Sequence, residues 1–187
     1  MKMINLRIVL LMTVLTGGIY PIAMTALGQL CFPHEVNGSL MKSPDGRAIG
    51  SELIAQPVTS PRYFHPRPSA GGYATMPSGA SNQSPTSKAL WASVQERIAA
   101  VVRDNSLSAE TRMRDLPTDL LFASGSGLDP HISPAAAYLQ ALRVASEREI
   151  PMERIRELIR NYTDLGGLFG QPAVNVMLLN RALDNLK

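Results

Sequence analysis

Residues 8–30 read IVLLMTVLTGGIYPIAMTALGQL, and this apolar stretch decides how the chain is organised. No charged side chain lies between Arg7 and His34. As an α-helix, the 23 residues from Ile8 to Leu30 would span roughly 35 Å, more than a hydrocarbon core of about 30 Å. The apolar region of a cleaved signal peptide is shorter, typically about 7–15 residues, and ends at a small-residue cleavage site that Ala23–Ala26 does not match. The stretch therefore predicts one uncleaved transmembrane helix.

The charges on either side of the stretch predict its direction. Lys2 and Arg7 precede it, whereas the next basic residue after it is Lys42. Positive charge is retained on the cytoplasmic side of a membrane. We therefore expect residues 1–7 in the cytoplasm and residues 31–187 in an extracytoplasmic domain. The alternative is a secreted protein that still carries its signal peptide.

Small and helix-kinking residues on one face of the stretch favour packing against a partner helix. A four-residue spacing places Thr13, Gly17 and Pro21 on that face. Glycine lets a neighbouring backbone approach closely, and Pro21 is expected to kink the helix. The candidate membrane-packing residues are Thr13, Gly17, Gly18, Tyr20, Pro21 and Thr25.

Cys31 is the single cysteine, so no intramolecular disulfide can form. A lipoprotein signal would carry small residues just before its cysteine, and Gln29-Leu30 does not fit that pattern. We interpret Cys31 as a residue at the membrane interface.

The net charge of the region after the stretch is close to zero. Two of the 18 basic residues, Lys2 and Arg7, precede the stretch, which leaves 16 beside all 15 acidic residues. Nucleic-acid binding requires a basic face. We therefore expect no nucleic-acid partner.

The first part of the domain predicts a strand followed by a long loop. In residues 48–55, Ile49 and Leu53 fall on one face of a period-two pattern, which can be extended to Ala55. Residues 60–82 contain four prolines and three aromatic side chains. A long irregular segment of this kind is typical of a binding surface or a linker, and the aromatic side chains favour an ordered binding loop.

Helices are predicted after Pro85. The first has an apolar stripe at helical spacing and is expected to lie in the core. The stripe consists of Leu90, Trp91, Val94, Ile98, Val101 and Val102. A second helix has Ser133 as its N-cap and Pro134 in its first turn, and runs to about Arg148. A third begins near Pro151, with Ile155, Leu158, Ile159 and Tyr162 on one face.

Short apolar runs predict two further strands and a closing helix. The strands are residues 117–123 and 172–177, and the helix is residues 178–186. The result is a single mixed domain of the α+β class with about three strands.

No arrangement of residues in the sequence is convincing as a catalytic or metal-binding site. Ser126, Asp129 and His131 lie close in sequence, but the residues of a catalytic triad normally come from separate loops. The three histidines, at positions 34, 65 and 131, lack the paired spacing of a zinc site. The Ser-Gly-Ser-Gly run at 124–127 could hold a phosphate but lacks the Lys-Ser/Thr of a P-loop. We expect neither catalytic nor metal-binding residues.

Five segments, taken in order along the chain, resemble signatures of one family, the C subunit of the Kdp potassium-transporting ATPase. They are Thr16–Pro21, Tyr63–Ser69, Ser78–Asn82, Ser124–Pro130 and Val174–Val176. The one departure is Ala55, where glycine is expected before Gln56.

The resemblance implies an accessory subunit of an ATP-driven pump for K⁺ uptake in the bacterial inner membrane, with its domain in the periplasm. It implies three partners: a channel-like subunit that binds K⁺, a P-type subunit that hydrolyses ATP, and a small single-helix subunit. The C subunit of this family is described as stabilising the assembly and as a catalytic chaperone that raises the ATP affinity of the hydrolysing subunit. ATP is thus implied as a ligand, bound directly or indirectly.

The resemblance also points to candidate residues for partner or ligand contact. They are Tyr63, Phe64, Arg67, Ser69, Ser81, Asn82, Ser124, Gly125, Ser126, Gly127, Asp129 and Asn175.

The predicted orientation and the implied ATP role disagree, because a P-type nucleotide-binding domain is cytoplasmic whereas residues 31–187 are predicted to lie on the other side of the membrane. The charge asymmetry favours the extracytoplasmic domain, so an effect on ATP affinity would pass through the membrane helix or through assembly. Two alternatives remain: a membrane-anchored envelope hydrolase that uses Ser126 and His131, and a purely structural envelope protein.

Overall fold

The computed structural model describes residues 2–186, which divide into two compact units. The first unit ends at Ile49 and the second begins at Gly50. Both helices and short strands are present, as the α+β prediction requires.

The first unit opens with helices α1, Lys2–Val14, and α2, Tyr20–Cys31, joined by a π-helical turn at Leu15–Ile19. The Tyr20 N–H donates to the Leu15 carbonyl, five residues back. Pro21 has no N–H to donate to the preceding turn, and a wider turn accommodates that loss. The discontinuity predicted at Pro21 is therefore a π-helical turn just before it.

The continuous segment Met3–Cys31 is the one helix among residues 2–186 that is long and apolar enough to cross a membrane. Its mean hydropathy is 1.8, and none of the apolar window is buried within the protein. The predicted span, residues 8–30, lies inside it. A short helix α3, Pro33–Val36, and strand β1, Leu40–Lys42, follow, and β1 pairs with β2, Ala48–Ser51.

The strand predicted at residues 48–55 is therefore too long. It ends at Ser51, which forms an isolated antiparallel bridge with Ile54 across a tight turn. The predicted apolar face is wrong at Ile49 and Leu53, which are exposed, and correct at Ala55, which is buried. The turn places Ala55 in the interior, where its N–H donates to the Leu128 carbonyl.

Helix α4, Lys88–Asp104, begins where predicted, with the Ser87 hydroxyl accepting from the Leu90 N–H. Val94, one of the residues of the predicted apolar stripe, is fully buried. Trp91 does not lie in the core as expected. It is 44% exposed, and its indole N–H donates to the Pro85 carbonyl at the start of the helix.

Residues 117–123, predicted as a strand, instead form a 3-10 turn at Thr118–Leu120, which follows another at Met113–Asp115. The Thr118 carbonyl accepts from the Leu121 and Phe122 N–H groups, and these local bonds replace strand pairing. Leu120 and Leu121 are buried. The apolar character of the run therefore reflects its place in the core and does not indicate a strand.

Helices α5, Pro134–Arg148, and α6, Met152–Asn161, confirm the second and third predicted helices. The Ser133 hydroxyl caps α5 by accepting from the Ala136 N–H. Ile155 and Ile159 of α6 are fully buried in the main core. Tyr162, placed on the same face by the sequence, is 39% exposed because the helix ends at Asn161.

Three antiparallel strands form a small sheet in the order β3, β5, β4, with bounds His131–Ile132, Ala173–Asn175 and Thr163–Asp164. Ile132 and Thr163 both pair with Val174. Together with β1 and β2, residues 2–186 contain five short strands, more than the three expected.

The closing helix α7, Val176–Asp184, begins two residues earlier than predicted and shortens the strand before it. The Asn175 side chain accepts from the Met177 and Leu178 N–H groups and so ends β5 and starts the helix.

Candidate functional site

The predicted contact residues lie in the second unit, on three segments. These are the chain from Tyr63 to Asn82, the turn Ser124–Asp129 and the start of α7 at Asn175. The sequence predicts all of them as surface contacts. The structure separates them into buried residues that hold the fold together and exposed residues that are accessible to a partner.

Phe64 belongs to the first class. Its side chain is fully buried in the main core, so it cannot touch a partner directly. The backbone is bonded from both sides, because the Phe64 N–H donates to Asn180 Oδ1 and the Asn180 Nδ2 donates to the Phe64 carbonyl, both at 2.9 Å. Phe64 therefore anchors the loop, which corrects its prediction as a contact residue.

His65 is held in the same way by Gln140. Its N–H donates to Gln140 Oε1 at 2.8 Å, and Gln140 Nε2 donates to the His65 carbonyl at 3.2 Å. The ring Nε2 lies 3.1 Å from the Ser60 carbonyl. Burial lowers the pKa of His65 from its ordinary value of 6.5, because the charged imidazolium would lose its hydration there.

Arg143 completes this arrangement and is only 7% exposed. Its guanidinium donates to the Pro61 and Tyr63 carbonyls, while Nη2 and Nε donate to Gln140 and Asn105. These partners are uncharged, and burial lowers the pKa of Arg143. Side chains thus form the hydrogen bonds to the backbone of residues 61–65 that a neighbouring strand would otherwise form. We call Gln140, Arg143 and Asn180 the polar cluster.

Tyr63 lies where this segment reaches the surface. Its hydroxyl donates to the Asp184 carboxylate at 2.9 Å, and Arg148 pairs with the same carboxylate at 2.6 Å. The Arg148 guanidinium also stacks on the Tyr63 ring, 4.5 Å from its centroid. Tyr63 is thus half-buried and ties the loop to the end of α7.

Arg67 and Asp129 join the loop to the turn. Arg67 Nη1 lies 3.1 Å from Asp129 Oδ2, and both side chains are about 30% exposed, at 28% and 31%. Arg67 Nε is buried without a hydrogen-bond partner. The second Asp129 oxygen accepts from the His131 N–H. This pair is the main electrostatic link between two segments far apart in sequence.

The turn itself is packed closely against the loop. The Ser124 N–H donates to the Pro68 carbonyl, and Ser124 is buried. Gly127 has a φ of +71°, and a Cβ on it would lie 2.9 Å from the Gly79 carbonyl oxygen and 3.3 Å from the Ser69 hydroxyl. Only glycine satisfies both the backbone angle and the close approach here. Segments far apart in the sequence therefore meet at Gly127.

Ser69 and Tyr73 shape the loop from within. The Ser69 hydroxyl accepts from the Tyr73 N–H at 2.8 Å, and the Tyr73 hydroxyl donates to the Arg67 carbonyl at 2.8 Å. Burial raises the pKa of the Tyr73 phenol. The loop is thus ordered by its own hydrogen bonds.

A groove of about 720 Å³ lies between the loop and α4. Its lining includes the predicted residues Ser69, Ser81 and Asn82, together with Arg97 and Phe122. Ser81 and Asn82 are exposed, as are Gly125 and Ser126 at the tip of the turn. We call residues 67–82 and 124–129 the contact surface.

Asn175 lies apart from the groove. Its side chain caps α7, and Nδ2 donates to the Glu52 carbonyl at 2.7 Å. All three hydrogen bonds of the side chain are internal to the domain. The structure gives Asn175 a structural role in positioning α7.

The geometry gives little support for hydrolysis. Ser126 Oγ accepts from the Leu128 N–H at 3.1 Å, and His131 Nδ1 lies 3.3 Å from Asp129. No hydrogen bond joins Ser126 to His131 among residues 2–186. Nor does that part of the chain gather three potential metal ligands.

Sequence reasoning missed Arg97, Gln140, Arg143 and Asn180. Arg97 donates to the Leu121 carbonyl at 2.8 Å and borders the groove. The other three could have been found from the sequence, because they are polar residues within predicted amphipathic helices. Gln140, Arg143 and Asn180 interrupt otherwise apolar helical faces, and such residues need buried partners.

The profile of the family described as "K+-transporting ATPase, c chain" matches residues 3–185. The potassium-transporting ATPase KdpC subunit of Methylococcus capsulatus is 47% identical over 187 aligned residues, which cover 97% of this chain and 96% of the relative. The protein of the same name in Pseudomonas putida is 45% identical, covering 97% and 94%. That of Mycobacterium bovis is 46% identical, covering 97% and 96%.

Proposed function

The chain belongs to the family of the K⁺-transporting ATPase c chain, and from this membership we propose that it assembles and stabilises the pump without catalysing a reaction itself. It is an accessory subunit of the potassium pump. The observation that carries the proposal is the extent of the match, residues 3–185, which includes both the apolar helix and the folded domain.

The helix Met3–Cys31 fits a single-pass subunit of this membrane pump. We propose that residues 1–7 face the cytoplasm and that the chain from residue 31 onward lies outside the inner membrane. Support comes from Lys2 and Arg7, which precede the apolar stretch at residues 8–30, and from the absence of basic residues between Arg7 and Lys42.

Labelling of Cys31 tests this orientation. It is the only thiol in the chain, and it is exposed at the end of α2. A membrane-impermeant maleimide added to cells with a permeabilised outer membrane should modify it. Modification only after the inner membrane is opened would contradict the proposed direction.

The partners we propose are the K⁺-binding channel-like subunit, the ATP-hydrolysing subunit and the small single-helix subunit. The membrane helix would pack against them through Thr13, Gly17, Gly18, Tyr20, Pro21 and Thr25, and the domain would touch them through the contact surface. The exposure of the helix side chains supports the first contact, and the ordered groove supports the second.

Any effect on ATP affinity we propose to be indirect, through assembly. Among the described residues that line the groove, Arg97 alone is cationic, and it already donates to a backbone carbonyl. A nucleotide triphosphate is normally held by several donors together with a metal ion. A pump lacking the chain should need more ATP for half-maximal hydrolysis, while the full-length chain alone should show no ATP binding in equilibrium dialysis.

Growth at micromolar K⁺ tests the function as a whole. A deletion strain should fail to grow and should be restored by the full-length chain. A chain carrying His131→Gln should restore growth equally, since His131 lies outside the contact surface and we assign it no catalytic role. Undiminished growth of the deletion strain would refute the accessory role, and failure of His131→Gln alone would favour the hydrolase alternative.

A further inference from the structure

The chain reverses direction immediately after the membrane helix ends. Helix α2 ends at Cys31, and α3 begins at Pro33, one residue beyond Phe32. The Phe32 N–H donates to the Gly28 carbonyl at 2.8 Å, and the Val36 N–H donates to the Phe32 carbonyl at 3.0 Å. Phe32 itself leaves the helical conformation, with a φ of −136°. The last turn of α2 and the turn of α3 are therefore both closed by hydrogen bonds around this one residue.

Two contacts hold α3 beside the last turn of α2. A Cβ on Gly28 would lie 3.0 Å from Val36 Cγ2, so glycine lets the valine pack directly on the helix backbone. The Asn37 Nδ2 donates to Gln29 Oε1 at 3.4 Å and to the Pro33 carbonyl at 2.6 Å. Helix α3 therefore does not extend away from the membrane helix, and Val36 lies at the level of Gly28.

The place of Gly28 in the membrane helix gives the depth of α3. The uncharged apolar stretch runs to Leu30, and Gly28 precedes the last residue of α2, Cys31, by one turn, or roughly 4.5 Å along the helix axis. The interfacial layer outside the hydrocarbon core is about 5–8 Å thick on each side of a bilayer. A side chain that packs on Gly28 therefore lies within this layer and not in bulk water.

The side chains that the reversal brings to this layer are apolar and uncovered. Leu30, Phe32 and Val36 are 80%, 61% and 44% exposed. An aromatic residue at the end of a membrane helix is typical of the interface between lipid and water. His34 and Glu35 are exposed beside them. The segment thus combines apolar and polar side chains, as segments that lie in a membrane interface do.

We propose that α3 lies in the headgroup layer of the leaflet where the membrane helix ends, with Phe32 and Val36 against the acyl chains of phospholipid. A bilayer interface surrounds the end of a membrane helix, so the continuity of α3 with α2 dictates what covers these side chains. No basic residue is needed to attract α3 to lipid, because the helix already holds it there. This inference rests on the proposed function, since it requires the helix to span the membrane of the pump.

The membrane contact of the chain then extends beyond Cys31 to Val36. The reversal also fixes how deeply the helix sits, because movement of the helix in either direction would carry α3 out of the headgroup layer. Movement into the core would bury the polar groups of α3, and movement outward would expose Phe32 and Val36 to water.

Spin labels in the full-length chain, assembled in the pump and reconstituted in phosphatidylethanolamine and phosphatidylglycerol vesicles, test where α3 lies. The chain carries Cys31→Ser and one new cysteine at position 32 or 36, and the partner subunits are free of reactive thiols. Each label should be more accessible to oxygen, which concentrates in lipid, than to a water-soluble nickel chelate, and should lie within about 8 Å of the lipid phosphates. A label at position 142 is the matched control, because Leu142 is 63% exposed on α5, and should show the opposite preference.

Two results at position 36 would overturn the inference. Accessibility to the nickel chelate equal to that at position 142 would place α3 in water, and inaccessibility to both reagents would place it against a partner subunit. A label at position 11, in the middle of the apolar stretch, separates this failure from that of the proposed function. If that label is accessible to the nickel chelate, the proposed membrane span fails and the inference fails with it.

The variant Gly28→Leu tests whether the contact with Val36 sets the depth of α3. The larger side chain collides with Val36 Cγ2, so α3 should move and the label at position 36 should become accessible to the nickel chelate. Ala26→Leu is the matched control, since Ala26 is exposed on the same helix, and should leave the label in lipid. An unchanged label in the Gly28→Leu chain would refute the role given to this contact.

Discussion

Replacing Asn180 with alanine isolates the hydrogen bonds that hold the start of the contact loop. Asn180 is 9% exposed and makes two bonds of 2.9 Å to the backbone of Phe64, whose side chain is fully buried. Asn180→Ala leaves the Phe64 N–H and carbonyl without partners in the core. A buried polar group left unpaired costs about 1–3 kcal/mol. We expect a loss of about 3 kcal/mol in the free energy of unfolding.

The corresponding change in melting temperature is large enough to measure. One kcal/mol shifts Tm by about 2–4 °C in a domain of this size, so the loss corresponds to about 9 °C. The assay is urea and thermal unfolding of the full-length chain in detergent, followed by circular dichroism. The control is Asn185→Ala, because Asn185 is an exposed asparagine at the end of the same helix. Such a surface change usually alters stability by less than about 0.5 kcal/mol.

A second variant separates hydrogen bonding from packing. Asn180→Leu keeps the branched shape of the side chain at a somewhat larger volume and removes both bonds, so it should be at least as destabilised as Asn180→Ala. If the leucine variant is as stable as wild type, packing and not hydrogen bonding holds the loop, and the reasoning fails. Because Phe64 leads directly into Arg67 and Ser69, both destabilised variants should also weaken growth at micromolar K⁺.

Three further outcomes follow from single residues. The pKa of His65 is below its ordinary value in the folded chain, so the unfolded chain binds more protons near pH 6 and stability should fall as the pH drops below about 6.5. Urea unfolding should show that the free energy of unfolding differs less between pH 7.5 and pH 5.5 for His65→Gln than for wild type. Asp129→Asn removes the charge partner of Arg67, whose side chain is 28% exposed, and should cost about 1–2 kcal/mol, between the values for surface and buried pairs; an unchanged urea midpoint would contradict this. Gly170→Ala places a Cβ 2.2 Å from the Gly166 carbonyl oxygen and should lower the urea midpoint of the full-length chain, whereas Gly71→Ala, with no atom nearer than 3.8 Å, should leave the midpoint unchanged.

Much of the helical architecture was predictable from local chemistry. Ser133 followed by Pro134 indicates a helix start because the hydroxyl satisfies a free N–H and proline needs none, and α5 begins there. The apolar helix is equally clear, since its length and composition have few alternative explanations. Strand prediction was weaker, because residues 117–123 are apolar through burial in a 3-10 turn and not through pairing.

The contact residues were predicted as one class and belong to two. The family motifs include Phe64, which is buried, and Asn175, which caps α7, beside Ser81 and Asn82, which are exposed. A motif in a sequence does not distinguish a side chain that holds a loop from one that touches a partner. That distinction depends on burial, and burial depends on residues more than one hundred positions away, such as Asn180 for Phe64.

The sequence by itself therefore determined the apolar helix, the helix starts and the family, because each depends on residues that are near neighbours or on the order of motifs along the chain. The tertiary structure alone decided that Arg67 pairs with Asp129, that Gly127 meets Gly79, and that the polar cluster holds residues 61–65. These contacts join residues about 50 to 120 positions apart. Their hydrogen bonds stabilise the fold only once the core has brought the partners together and excluded water, and no local pattern encodes that condition.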